Sequence, residues 1–187
     1  AGNATLAPGD IRYVDQNGDH RITSEDQVYV KNSSYPDMDL AFRLGASYKG
    51  FFVNALFQGE MGYKQNIIES YTLGTLQKFQ KYHLTETWTP DNTGARYPRI
   101  KFVTSNDNNR RASTFWIQNC NFLRLKMLSI GYQLPRNMVK HIGATSASLA
   151  FQASNLFTIT NLEGMDPESL RGYPIQRSFG VTLNLGF

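Results

Sequence analysis

Several features that mark common protein classes are missing from this sequence. A single cysteine, Cys120, among 187 residues excludes a disulfide within the chain. No run approaches the roughly 18–20 consecutive apolar residues of a membrane-spanning helix. The formal net charge is only +4, and no basic face or reader motif accompanies it, which argues against nucleic acid as a partner.

The sequence does contain many aromatic residues, 13% of the chain, and segments in which apolar side chains alternate with small or polar ones. The clearest is 177–187, in which every second residue is apolar: Phe179, Val181, Leu183, Leu185 and Phe187. Because successive side chains of a strand point to opposite faces, this segment predicts a strand with one apolar face. A soluble β-sandwich would turn that face to its core, and an outer-membrane barrel would turn it to lipid.

Similar alternation predicts four more strands, at 40–48, 51–62, 115–134 and 146–157. The apolar phase shifts within 115–134, where Arg124 and Lys126 are charged, so we expect 126–134 to lie in the membrane and the Arg124 end above it. Apolar residues at every third position between 73 and 82 predict a short helix.

The connections between these strands alternate in length. Segments 1–38, 63–114 and 158–175 are long, whereas 49–50 and 135–145 are short. Barrels show this asymmetry, with short periplasmic turns and long extracellular loops, and a sandwich has no reason to show it. We therefore predict an all-β fold, an antiparallel transmembrane β-barrel segment over 39–187, preceded by an extracellular loop over 1–38. Five strands would leave two open edges in lipid, so we expect them to be part of a larger barrel.

Several stretches occur in the order found in the SusC/RagA-type TonB-dependent outer-membrane transporters, which the chain resembles along essentially its whole length: GDIRYVDQNGDHRIT, SYKGFFVNALFQGEMG, TETWTPDNTGARYPRI, FLRLKMLSIGYQLP, ASNLFTIT, GMDPE and LNLGF. The resemblance implies the last five strands of a 22-stranded barrel in the outer membrane of a Gram-negative bacterium. It implies import of oligosaccharides or peptides, powered by TonB through a plug domain elsewhere in the protein. It also implies a SusD-like lipoprotein as a lid, and Phe187 as a C-terminal signal for outer-membrane assembly.

The segment DQNGDHRITSED, 15–26, has the spacing of a calcium-binding loop. The oxygen donors would be Asp15, Asn17, Asp19, the carbonyl of Arg21, Thr23 and Asp26. Two positions depart from the pattern: His20 replaces the usual glycine, in a turn that favours positive φ, and Asp26 replaces the usual glutamate. A bound Ca²⁺ would cross-link an extracellular loop. The alternative is a metal-free turn rich in Asp, Asn and Gly.

The long loop 63–114 and its flanks carry two further groups of candidate residues. The basic group could contact the lid lipoprotein, surface lipopolysaccharide or an acidic substrate, or be a solvated loop face, which such runs usually are. The aromatic group could stack on sugar rings, or hold the loops together, which we favour. The candidates for contact with substrate or partner are Trp88, Arg96, Tyr97, Arg99, Arg110, Arg111 and Trp116, with Lys101 in the basic group and Phe115 in the aromatic group.

No catalytic arrangement can be assembled from the sequence, so we predict that the chain is not an enzyme. The histidines are His20, His83 and His141, and none has a convincing nucleophile and acid at hand. Two rival interpretations stay open at this stage. One is a secreted, soluble β-sandwich that binds carbohydrate and carries the calcium loop. The other is an outer-membrane lipase that uses His83.

Overall fold

The structure is a computed structural model, and it describes residues 6–30, 35–68, 81–101, 108–162, 164–170 and 172–187. The strands are β1 (Met38–Tyr48), β2 (Phe51–Met61), β3 (Lys64–Asn66), β4 (Ile117–Asn119), β5 (Phe122–Gln133), β6 (Ser146–Ser154), β7 (Thr158–Thr160) and β8 (Ser178–Gly186). The helices are α1 (Lys81–Thr85) and α2 (Arg136–Val139), with single 3-10 turns at Ser24–Asp26, Asn108–Arg110, Thr114–Trp116 and Lys140–Ile142. No described helix is long and apolar enough to cross a membrane.

The long strands form one antiparallel sheet in the order β1-β2-β5-β6-β8, with β7 paired to β5. Each long strand is thus hydrogen-bonded to the long strand that precedes it in the chain. The predicted turn at 49–50 is confirmed, because Lys49 and Gly50 both have positive φ between β1 and β2. A small apolar cluster of Val139, Ala144 and Ala147 closes the short connection between β5 and β6.

The predicted strand 115–134 is wrong in its first part. Residues 114–119 form a 3-10 turn and the short strand β4, which pairs with β3, and β5 begins only at Phe122. The interruption has a local cause in the Asn-rich stretch between them. The Asn119 carboxamide oxygen accepts a hydrogen bond from the Asn121 N–H, and the Asn121 carboxamide oxygen accepts one from the Gly62 N–H. Such side-chain bonds compete with a strand ladder.

The predicted strand 146–157 also ends early, at Ser154. Asn155 adopts φ 54°, in the left-handed region that asparagine tolerates, and this turns the chain out of the ladder. The chain returns as β7, so that the first residues of the expected loop 158–175 are a short strand beside β5. The predicted helix between 73 and 82 lies mostly outside the described residues, and only α1 can be compared with it.

A β-bulge interrupts the pairing of β2 with β5. Leu56 pairs with Met127 but Phe57 pairs with Leu125, so Lys126 is an extra residue on β5. Since side chains alternate along a strand, one extra residue exchanges the two faces beyond it. The phase shift in the sequence is therefore a bulge in a continuous strand.

The chain forms two compact units. The sheet unit comprises 33–64 and 119–187, and the loop unit comprises 1–32 and 65–118. The loop unit has little regular structure in its described part and is organised around buried polar and aromatic side chains, among them Asn109, Tyr97 and Trp116.

Candidate functional site

The sheet presents one continuous apolar face. The ladder places Phe42 beside Phe57, Val53 beside Ile130, and Ile130 beside Phe151. The same row continues across the last strand pair, and the side chains on it stay exposed: Val181, at the centre of β8, is 72% exposed. A sandwich core would seal these groups, whereas a barrel wall leaves them facing outward toward lipid. Exposed members of this face include Leu44, Tyr48, Phe51, Ile130, Leu149, Phe151, Phe179, Val181, Leu183 and Leu185.

The opposite face is polar and carries small residues. Asn54 lies beside Ser129, and Gln152 lies beside both Ser129 and Gly180. A methyl group at Gly131 would lie 2.4 Å from the Phe52 ring. Glycine is therefore required here, because only glycine leaves room for the Phe52 ring. Polar side chains on one face and apolar ones on the other match the two sides of a barrel wall.

A cluster of four charged side chains, of which Arg124 is buried and the other three are partly exposed, lies on the polar face where β5 begins. The Arg124 side chain is 2% exposed, and its Nη2 lies 2.6 Å from Asp166 Oδ1. Its Nη1 lies 2.9 Å from Glu168 Oε2, and Lys126 Nζ lies 2.7 Å from Glu168 Oε1. The cluster links β5 to a segment about forty residues further along the chain. Charged hydrogen bonds of this kind are the strong ones in proteins.

The acidic side of this cluster also orders its own segment. Asp166 Oδ1 accepts the Glu168 N–H at 3.0 Å, and Asp166 Oδ2 accepts the Ile175 N–H at 3.1 Å. The Tyr63 hydroxyl donates to the Pro167 carbonyl at 3.0 Å. Burial alone would raise the pKa of Asp166, but the hydrogen bonds from Arg124 and the two backbone N–H groups bring the pKa below its usual value.

Sequence reasoning missed this cluster. It treated Arg124 and Lys126 only as charges that break the apolar phase, and it used GMDPE only as a family motif. The available signal was the phase shift itself, because charged residues on the apolar phase of a strand require a bulge or an ionic partner. The identity of that partner, 42 positions away, is a tertiary contact that no local pattern reveals.

Asp10 is the centre of a second charged group, in the loop unit. Its carboxylate is 1% exposed and lies 2.8 Å from Arg99 Nε and 2.7 Å from Lys101 Nζ. It also accepts hydrogen bonds from the Ala7 N–H and from Asn109 Nδ2, both at 3.1 Å. Burial would raise the pKa of Asp10, but these donors together hold it well below its usual range. Asp10 therefore joins the start of the chain to 99–101 and 108–110.

The structure divides the predicted basic group. Arg99 and Lys101 are engaged with Asp10, so their charges are largely compensated within the loop unit. Arg96 is exposed and its guanidinium lies 5.7 Å from the centre of the Tyr97 ring. Arg110 and Arg111 are half-buried at the end of a 3-10 turn. Contact of these residues with a lid or substrate stays a prediction, with Arg96 the most exposed of them.

Within the predicted aromatic group, Trp116 and Tyr97 are buried in the loop unit, Trp88 is half-buried and Phe115 is 40% exposed. Trp116 is 0% exposed, and its Nε1 donates to the Asn109 carbonyl at 2.9 Å. Tyr97 is also buried and stacks on Trp116 at a centroid distance of 6.5 Å. Trp88 packs against Gly9, whose φ of 85° suits glycine. These positions favour the packing interpretation over direct stacking on a substrate.

The loop 15–26 has the backbone of the expected motif. His20 has φ 63°, which confirms the expected positive φ at this position. Asp15 accepts the N–H groups of Gly18 and His20, both at 2.7 Å, and Asp26 accepts those of Gln16 and Thr23, also at 2.7 Å. These backbone hydrogen bonds hold the pKa of Asp26 below its usual value.

The side chains of this loop do not by themselves establish a metal site. Asn17 and Asp19 accept the N–H groups of Asp19 and Arg21, at 3.0 and 2.7 Å. Within the described residues, no group of three or more His, Cys, Asp and Glu side chains is arranged to hold a metal ion. The same turns serve a metal-free loop equally well, so calcium binding stays a prediction.

Comparison with known proteins agrees with the geometry. No protein-family model matches the chain. TonB-dependent receptor P3 from Formosa agariphila is 28% identical over 210 residues, which cover 100% of this chain and 20% of that protein. TonB-dependent receptor P39 from the same organism is 25% identical over 203 residues. The aligned part covers 99% of this chain and 19% of that protein. The chain thus spans about a fifth of the length of these curated relatives.

Solved structures give the same result. The structure of the RagAB peptide importer in its closed-closed state matches with a TM-score of 0.65 and 26% sequence identity. The match covers 89% of this chain and 19% of the matched RagAB chain. The RagAB peptide transporter matches 96% of this chain and 20% of its own, with a TM-score of 0.62 and 27% identity. The chain is related to the SusC/RagA-type TonB-dependent receptors. The antiparallel sheet expected from the sequence is confirmed as the kind that forms the wall of these receptor barrels.

The relationship to TonB-dependent receptors bears on the rival interpretations. A receptor wall accounts for an exposed apolar face opposite a polar one, which a soluble sandwich does not. The lipase interpretation needs an accessible histidine, but His83 is 1% exposed. The relatives are named as receptors and transporters and not as enzymes.

Proposed function

We propose that this chain forms part of the wall of a TonB-dependent transporter in the outer membrane of a Gram-negative bacterium. The observation that carries the proposal is the single apolar face of the sheet, which runs across all five long strands and is exposed. Transport across this membrane would use the complete barrel, its plug and TonB, and the present chain would contribute wall, interior surface and loops. We propose no catalytic role for it.

Adjacent residues of β8 provide a direct test of the wall. Val181 lies on the apolar face and Thr182 on the polar face, opposite Phe151 and Ala150 of β6. A lysine on the lipid face near the membrane centre costs about 2–4 kcal/mol, whereas the interior face tolerates charge. In the full-length protein we expect Val181→Lys to reduce the amount assembled in the outer membrane and Thr182→Lys to leave it near the parent level. Equal assembly of both variants would contradict the proposal.

We propose peptides as the substrate, with oligosaccharides as the alternative that the sequence resemblance also implies. The support is the likeness to RagAB, whose structures are described as a peptide importer. We also propose a SusD-like lipoprotein as the partner over the extracellular mouth, which the sequence resemblance implies and the likeness to RagAB supports. Cells that express the complete receptor with its lipoprotein should accumulate labelled peptides. Uptake of labelled oligosaccharides without peptides would reverse the assignment.

Two smaller proposals come from the sequence. Ca²⁺ bound by the loop 15–26 would have a structural role, and the proposal rests on the spacing of its oxygen donors in the sequence. Phe187, which is exposed beyond the end of β8, would contribute to recognition during outer-membrane assembly.

A further inference from the structure

Residues 164–170 are tied to the polar face of the sheet by a group of ion pairs. We propose that this segment is an ion-pair-held strap: Arg124 and Lys126 of β5 hold Asp166 and Glu168 against the interior side of the wall, and loss of these pairs releases the strap while the sheet stays intact. The inference concerns the sheet unit and does not depend on what the protein transports.

The first support is the face on which Arg124 lies. Without the bulge, Arg124 would follow the alternation of Leu128 and Ile130 and would point to the apolar side. The extra residue at Lys126 moves Arg124 to the polar face, where it lies beside Gln58 of β2. Bulges commonly redirect a side chain in this way. The local disruption of the ladder thus places both cations where they meet the two acids.

The second support is the burial of this corner of the polar face. Phe122 and Arg124 are 3% and 2% exposed, although farther along the same face Asn54 is exposed. The Arg124 guanidinium lies 5.8 Å from the centre of the Phe122 ring. Its Nη2 and Nη1 atoms form ion pairs with Asp166 and Glu168. Residues 164–170 therefore cover a part of the interior side that would otherwise be open.

The third support is how the strap is fastened. Beyond the ion pairs, the segment is joined to the sheet unit by the hydrogen bond from the Tyr63 hydroxyl to the carbonyl of the buried Pro167. Ser169 Oγ donates to the Tyr173 carbonyl at 2.8 Å, within the same connection between β7 and β8. The two acids pair with Nη2 and Nη1 of the buried Arg124 guanidinium, whose Nε has no hydrogen-bond partner within the described residues. Removing them leaves a buried charge uncompensated, which is strongly destabilising.

Hydrogen exchange of the full-length protein in detergent tests the strap. We expect the double variant Asp166→Asn/Glu168→Gln to exchange the amides of 164–175 at least about tenfold faster than the parent, because the buried Arg124 loses both of its anionic partners. Peptides from β6 and β8 should keep their protection. Asp39→Asn, which removes an exposed acid from β1 of the same unit, is the matched control and should leave 164–175 unchanged.

A second variant with a smaller expected effect tests the proposal even if the double variant fails to fold. Lys126→Gln removes the partly exposed cation and leaves Arg124 with both acids, and it should accelerate exchange in 164–175 by a smaller factor. Unchanged exchange in 164–175 for both variants would overturn the proposal. Loss of protection throughout β6 and β8 would overturn it as well, because the cluster would then hold the sheet itself.

Discussion

The carboxylate of Asp10 offers the most direct test of how the loop unit is held together. In the variant Asp10→Asn the side chain keeps its shape but loses the charge that faces Arg99 and Lys101. Breaking a fully buried ion pair costs about 3–5 kcal/mol. Arg99 and Lys101 are 35% and 24% exposed, so water can partly replace the lost partner. We therefore expect a loss of about 2–3 kcal/mol in the free energy of local opening.

That loss is measurable at individual amides. The Ile11 N–H donates to Asn109 Oδ1 and the Arg99 N–H donates to the Gly9 carbonyl, both at 2.9 Å, and both bonds depend on the segments that Asp10 joins. Since 1.4 kcal/mol corresponds to a factor of ten, these amides should exchange about 30- to 150-fold faster in Asp10→Asn. Asp91→Asn, at an exposed loop position, is the control. Exchange at the parent rate would refute the view that Asp10 joins these segments.

The pH dependence of the same amides has a definite sign. The pKa of Asp10 is depressed in the folded protein, so its ion pairs contribute fully above the ordinary carboxyl pKa near 4. The contribution is lost as the pH falls below that value toward the depressed native pKa. Protection at Ile11 and Arg99, corrected for intrinsic exchange, should therefore decline below about pH 4 in the parent. In Asp10→Asn it should decline less.

Three further results are expected. Gly131→Ala should reduce the amount of folded receptor, because a methyl group there meets a neighbouring ring and a backbone carbonyl. Gly180→Ala is the control and should not reduce it, because nothing lies within 4 Å of the added methyl group. Equal yields of heat-modifiable barrel for the two variants would contradict this expectation. Replacing Asp15 and Asp19 together by Ala should make the loop around them more sensitive to protease, and chelator should do the same to the parent if Ca²⁺ is bound; insensitivity to chelator would exclude a metal. Deleting Phe187 should lower the amount of protein in the outer membrane, and an unchanged amount measured by surface labelling would rule out the assembly signal.

The parts of the fold that could be predicted from the sequence are those governed by local alternation. The long strands β1, β2 and β8 were predicted close to their observed bounds, because a two-residue period fixes which side chains share a face. The errors fall at asparagine residues. Asn119 and Asn121 separate β4 from β5, and Asn155 ends β6, although the apolar pattern continues across both places.

The candidate sites were harder to predict because their partners are distant in sequence. Arg99 and Lys101 look like a free basic run until Asp10, 89 residues before Arg99, is placed beside them. Trp116 looks like a candidate for stacking on a ligand until Asn109 and Tyr97 enclose it. In both cases composition and spacing point to a residue type, but they cannot say whether its charge or ring is satisfied inside the protein.

The charged residues of β5 show how an irregularity in the sequence pattern can be used to predict a tertiary contact. A wall strand with a strict period of two has no reason to carry Arg124 on its apolar phase, because a charge facing lipid is costly. Either the strand leaves the membrane at that point or a bulge turns the residue inward. The structure shows the bulge at Lys126 and two acids that meet the redirected side chains. A phase shift that coincides with a basic pair therefore predicts an acidic partner on the interior side, and 164–170 supplies it.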